Sequence, residues 1–159
     1  FARIRIIDSN FYRDIDWPII IMLAAMIPIG TALQTTGLSD LISSNISLLA
    51  ADMSLFWLLF LILIITMATT DIINNAATAV IMAPISAGIG LELGYAIEPF
   101  LMVVAVGASC AFLTPIGHQC NTVVMGPGNY KFTDYWRLGL PLDILIIAVS
   151  IPMILFVWT

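Results

Sequence analysis

Two polar clusters interrupt an otherwise apolar sequence, and their residue types suit binding rather than covalent chemistry. The first lies in "TTDIINNAATAVIMAPI", from Thr69 to Ile85, and brings together Thr70, Asp71, Asn74, Asn75 and Thr78. The second lies in "TPIGHQCN", from Thr114 to Asn121, where Pro115 and Gly117 interrupt the helical ladder beside Thr114, His118, Gln119 and Asn121. Amides, hydroxyls and unwound carbonyls can ligate a small cation, and the free N–H groups of a helix N-terminus attract an anion. Asn75 and Asn121 each stand where a helix restarts, which is the position of an N-cap. Asp71 is a cation ligand or proton carrier if it lies within a membrane, with capping of the turn as its structural alternative. His118 changes charge near neutral pH and could relay protons, although one histidine beside a helix break is more often a hydrogen-bonded structural residue. Ser109 and Cys110 carry nucleophilic atoms, yet no G-x-S-x-G elbow or H-E-x-x-H motif accompanies them, so hydrolysis finds no support.

The elements that hold these clusters are membrane elements. Of 159 residues, 61% are hydrophobic and 9% charged, against roughly 25% charged in soluble domains. Mean hydropathy is +1.08. Five basic and ten acidic side chains are too few to cover a water-facing surface. Cys110 and Cys120 form neither a disulfide framework nor a zinc pattern. The eight methionines are scattered and read as packing residues. A chain that opens on Phe1 without a leader pattern reads as an internal piece of a longer polypeptide.

Hydropathy and breakers predict an all-α membrane protein. Residues 1–16 form a charged cytoplasmic approach, and Trp17-Pro18 opens a spanning helix over 17–35. An interfacial helix follows at 38–50. Ser54 to Gly90 supplies 37 residues with a polar turn at its middle, short of the roughly 40 that two full spans require in addition to a turn, so a re-entrant hairpin over 54–90 is expected. A broken helix is expected over 98–127, an amphipathic stretch over 132–138 and a last span over 139–158, with Asp143 close to the interface. This topology puts Arg3, Arg5, Arg13, Lys131 and Arg137 on one side and Asp40, Asp52, Glu92 and Glu98 on the other. By the positive-inside rule, the N-terminal segment is then cytoplasmic in a multi-pass protein of the cell membrane.

Two mid-membrane breaks form the pattern of a secondary transporter, with an anion held between half-helix ends and a cation on unwound backbone. The structural alternative is that Asn74, Asn75 and Asn121 only join helices, at about 0.6 to 2 kcal/mol per contact. That explains a single asparagine more easily than two clusters, each at a helix break.

The pair "DIINNAATAVIMAPI" and "TPIGHQCNTVVMGPGNYKFTDYWRLGLPL" resembles the C-terminal half of the divalent-anion:sodium symporter family, the sodium-sulfate and dicarboxylate symporters of the ion transporter superfamily. It looks most like bacterial permeases whose membrane halves flank TrkA-C domains. The resemblance implies one of two inverted repeats in a homodimeric, elevator-type transporter, completed by an N-terminal repeat. The family's hairpin tip reads Ser-Asn-Thr, where this sequence has Asn74, Asn75 and Ala76. Carried over, the sodium ligands fall at Thr70, Asn75 and backbone near Thr114, and the substrate contacts at Asn75, Ala76 and Pro115. Thr78, Asn74 and Asn121 complete the expected anion site, and Asp71 the ion site. The function implied is sodium-coupled symport of sulfate or a small dicarboxylate, with no enzymatic activity, no cofactor beyond sodium and no nucleic acid partner. Its rivals are a cation/proton or arsenite antiporter of the same superfamily, and a non-transporting membrane subunit.

Overall fold

The computed structural model describes residues 35–50 and 52–159, together with isolated positions between Trp17 and Ala32. The approach segment 1–16, most of the first expected span and Arg3, Arg5 and Arg13 lie outside the described residues. Those positions that are described between Trp17 and Thr35 are helical. The chain then forms α1 (Leu38–Ala50), α2 (Leu55–Thr70), α3 (Asn75–Glu92), α4 (Glu98–Ala108) and α5 (Gln119–Met125). A 3-10 turn (Phe132–Asp134) leads into α6 (Tyr135–Trp158).

α2 is apolar on almost every face, as suits a helix touched by protein or lipid all round. Its late threonines remain compatible with burial because the hydroxyls of Thr66 and Thr69 donate to carbonyls one turn earlier, Ile62 and Ile65, at 2.7 Å each. The helix ends at Asp71. Four residues later α3 begins, with Asn74 as its N-cap in extended backbone, its Oδ1 accepting from Ala77 N at 2.8 Å. α3 ends before Gly94, which takes the left-handed conformation (φ +75°) while Tyr95 N bonds back to Gly90 O at 2.8 Å. Pro99 in the first turn of α4 suits a helix start, where its missing N–H costs nothing.

α4 is the centre of the packing. It lies against both α2 and α3, while α1 covers α3 and α6 covers α4 and α2. Phe100, Val103 and Val104 of α4 are buried among Leu58, Leu59, Ile62, Leu63 and Met67 of α2, Ile85 and Ile89 of α3, and Ile151 and Ile154 of α6. Gly107 lets α4 and α2 touch, since a Cβ there would stand 2.9 Å from Thr66 Cβ. The Ser86 hydroxyl donates to the Phe100 carbonyl at 3.1 Å and ties α3 to α4.

Length separates these helices. α6 at 24 residues extends about 36 Å, while α2 at 16 and α3 at 18 extend about 24 and 27 Å, under the roughly 30 Å of a bilayer core. Together with the 3-10 turn, α6 forms a run, Phe132–Trp158, that is long and apolar enough to cross a membrane, with an 18-residue window of mean hydropathy 2.5. Its outer face is lipid-like, with Leu138, Ile144, Leu145, Val149 and Phe156 exposed.

Two helix boundaries need correction. The helix opening at 98 stops at Ala108 rather than near Leu113, so the unwound segment runs from Ser109 to His118 and begins well before Pro115. Ser109 N and Cys110 N bond three residues back, to Val106 O and Gly107 O, which tightens and ends the helix. The amphipathic stretch and the last span are continuous through Gly139, because this glycine serves close packing against the Phe112 carbonyl rather than a break. Asp143 packs inside the protein, at 7% exposure.

Candidate functional site

The two clusters that are 40 residues apart in sequence meet in space. The tip between α2 and α3 docks on the unwound segment 109–118 through two bonds, both accepted by Asp71. Leu113 N donates to Asp71 Oδ1 at 3.0 Å, and the Thr114 hydroxyl donates to the Asp71 carbonyl at 2.6 Å. Gly117 closes the junction: a Cβ there would lie 2.8 Å from both the Thr70 carbonyl and Ala111 Cβ. Gly117 N in turn donates to Thr114 Oγ1 at 3.2 Å. Asp71 is therefore a latch between two loops. It caps no helix N-terminus, and its Oδ2 is buried without a hydrogen-bond partner.

Thr70 stands at the centre of an oxygen cluster. Its hydroxyl, in a side chain with 0% exposure, lies 2.8 Å from Asn75 Oδ1 and 2.9 Å from the Ala108 carbonyl, the C-terminal end of α4. One hydroxyl proton serves only one of these acceptors at a time. Three oxygens drawn from the end of α2, the start of α3 and the end of α4 thus share a single proton, a donor set suited to a small hard cation.

Asn75 also faces outward from this cluster, into a cavity of about 280 Å³ lined by Asn75, Ser109, Ala111, Phe112, His118, Cys120 and Asn121. At the head of α3, the N–H groups of Asn75 and Ala76 have no hydrogen-bond partner among the described residues, which leaves the positive end of an 18-residue helix facing the tip. Asn121 holds the opposite wall. Its Nδ2 donates to the carbonyls of Ala111 (2.8 Å) and Thr114 (3.0 Å), and its own carbonyl accepts from the Tyr135 hydroxyl at 2.6 Å.

The structure distributes the expected residues unevenly. Asn75 and Asn121 line the cavity. Neither is an N-cap: Asn74 caps α3, and His118 caps α5 with Nδ1 accepting from Cys120 N at 3.2 Å. The reason is a shift of each helix start, by one residue at the tip and by three at the break. Thr70 belongs to the oxygen cluster, and Thr114 spends its hydroxyl on the Asp71 carbonyl. Ala76 is half-buried next to the cap. Thr78 is fully buried inside the helix packing, and Pro115 is buried with its carbonyl accepting from the Thr122 hydroxyl at 2.6 Å. Neither lines the cavity. Residues that sequence reasoning set aside, Ser109 and His118, line it instead, as do Phe112 and Cys120. His118 and Cys120 belong to the polar run recognised in the sequence, whereas Ser109 and Phe112 read as apolar helix and gave no signal.

Apolar helices, one of them of spanning length, with polar loops enclosed between their broken ends, define a helical membrane protein. The chain belongs to the citrate transporter family, whose model matches residues 4–107. Several of its relatives are named as transporters, and one, of Chlamydomonas reinhardtii, as a putative sulfur deprivation response regulator. An uncharacterized transporter of Escherichia coli K12, YfbS, is 39% identical over 154 residues, covering 96% of this chain and 25% of that protein. The sodium-dependent dicarboxylate transporter SdcS of Staphylococcus saprophyticus is 26% identical over 154 residues, covering 96% of this chain and 29% of that protein. Sodium/sulfate cotransporter 2 of Chlamydomonas reinhardtii is 28% identical over 139 residues, covering 87% and 16%. These relatives agree with the divalent-anion:sodium symporter resemblance, and family membership implies a membrane location. The chain spans about a quarter of the length of the first of them.

Proposed function

We propose that this chain forms one repeat of a secondary active transporter that couples sodium to the movement of sulfate or a small dicarboxylate by elevator-type alternating access. The observation that carries the reading is the double role of Asn75, whose amide oxygen belongs to the Thr70–Asn75–Ala108 cluster while its side chain lines the polar cavity. In this reading the sodium ion is cargo held by Thr70 Oγ1, Asn75 Oδ1 and the Ala108 carbonyl. The anion occupies the cavity beside the start of α3, where N–H groups and the helix dipole favour negative charge. Sodium fixes the Asn75 amide, and the fixed amide shapes the anion site, so each ligand raises the affinity of the other by the same factor. No arginine is required, which agrees with the absence of Lys and Arg between Asp14 and Lys131.

The short reach of α2 and α3 supports a hairpin that enters and leaves on one side, with its tip inside the bilayer. An N-terminal repeat supplies the facing half of the site, two protomers assemble as a dimer, and the N-terminal segment is cytoplasmic. The test is uptake of labelled sulfate and succinate by the full-length protein in proteoliposomes, with and without an inward sodium gradient. Sodium-dependent uptake of one anion, lost in Asn75→Ala and Asn121→Ala with expression retained, is the expected result. No sodium-dependent uptake of either anion refutes the proposal, and wild-type rates in both variants reduce the two asparagines to packing residues.

A further inference from the structure

Asp143 takes no part in the site described above, yet its surroundings are those of a ligand-binding group. It lies about 12 Å along α6 from Tyr135, is 7% exposed, and its Oδ1 is buried with no hydrogen-bond partner. Gly139, one turn earlier on the same face, marks where α6 meets the unwound segment: a Cβ there would lie 2.5 Å from the Phe112 carbonyl oxygen and 3.2 Å from a Leu113 methyl. Leu113 N is the donor to Asp71 Oδ1, and Asp71 Oδ2 is the other buried carboxylate oxygen without a partner. Through that contact the charge of Asp71 reaches Asp143, and the charges of both reach the Cys110 thiol.

No cation of the protein offsets these carboxylates among the described residues. Lys131 and Arg137 are exposed at the start of α6, and His118 is exposed at the start of α5 with its Nδ1 accepting from Cys120 N. Asp134 is engaged with the Lys131 backbone, and Glu98 sits at the far end of α4 from the unwound segment. An uncompensated carboxylate in such a place is strongly destabilising. Asp71 Oδ2 and Asp143 Oδ1 are enclosed by this chain, so a partner that reaches them has to be small.

We propose that Asp143, in the field of Asp71, binds a monovalent cation, a bare sodium ion or a proton, at a site separate from the Thr70–Asn75–Ala108 cluster. The cation is bound while the tip is docked on the unwound segment, because docking is what brings Asp71 towards Asp143. Its part in coupling rests on the transporter reading, whereas its binding does not. The experiment compares the full-length wild type with Asp143→Asn and Asp143→Glu. Uptake is measured against sodium at fixed pH and against pH at fixed sodium, and thermal melting of the purified protein is followed over the same two series. Asp143→Asn is expected to transport with a sodium activation curve less steep by about one ion, which identifies sodium, or with its pH dependence flattened, which identifies the proton. The corresponding cation-dependent rise in melting temperature shrinks in the same variant. Retention of both wild-type dependences overturns the proposal, as does a loss of uptake by one factor at every sodium concentration and pH. If Asp143→Asn does not fold, Asp143→Glu decides: a half-saturating cation concentration shifted by about threefold or more supports the site, and an unchanged one overturns it. Should the wild type take up neither anion, the transport reading falls while the melting series still decides the cation site.

Discussion

Replacing Thr70 by valine removes one hydroxyl and almost no volume, which isolates the chemistry of the oxygen cluster from its packing. The Thr70 side chain has 0% exposure, and its Oγ1 lies 2.8 Å from Asn75 Oδ1 and 2.9 Å from the Ala108 carbonyl. Without the hydroxyl, two acceptors face each other across a methyl group. A buried acceptor left unpaired costs about 1–3 kcal/mol, so the cation-free protein should melt several degrees lower. With sodium bound, the loss is that of one ligand to a charge, about 1.5–3 kcal/mol by the range for hydrogen bonds to ions. At 1.4 kcal/mol per tenfold, the half-saturating sodium concentration should rise by roughly 10- to 150-fold, while Thr70→Ser, which keeps the oxygen, should stay close to wild type. The assay is initial uptake into proteoliposomes as a function of external sodium at fixed anion. A Thr70→Val protein with a wild-type sodium curve would remove Thr70 from the ion site and, with it, the argument that Asn75 couples ion to anion.

Gly117→Ala puts a methyl 2.8 Å from a backbone carbonyl and from Ala111 Cβ, neither of which is the end of a flexible side chain. Overpacking of this kind costs about 1–3 kcal/mol, and it should force the tip from the unwound segment, lowering both melting temperature and uptake; wild-type values for both would show that the junction is looser than its geometry. Cys120 is exposed at the cavity wall while Cys110 is buried, so a charged thiol reagent should label Cys120 first, and the transported anion should slow that labelling. Labelling of Cys120 at the same rate with and without the anion would place the anion elsewhere.

Much of the secondary structure is legible because it depends on local properties. Apolar runs and their breakers locate α1, the two helices flanking the tip, and the start of α4, since Pro99, the "NN" pair and the glycine of "LGY" act through their own backbone preferences. The end of α4 is not legible: Ser109 to Leu113 reads as a continuation of an apolar helix, and it unwinds where its backbone is drawn to Asp71, a partner 42 residues earlier for Leu113. The boundary expected between 138 and 139 errs in the opposite direction, since Gly139 is a contact point inside one helix.

The amino-acid sequence by itself determined that this chain lives in lipid, that two polar clusters interrupt its helices, and that Asn75 and Asn121 belong to them, because composition and hydropathy act residue by residue. Which polar atoms remain available was decided only by tertiary packing. Thr78 and Pro115 have the right types in the right motifs, yet one is enclosed in the helix bundle and the other has its carbonyl taken by Thr122. The Ala108 carbonyl and Asp143, each invisible in any motif, became significant because a helix end and a helix face were brought against the tip. Hydrogen-bond capacity is a property of a residue, but whether it is spent within the protein depends on neighbours that the fold alone supplies.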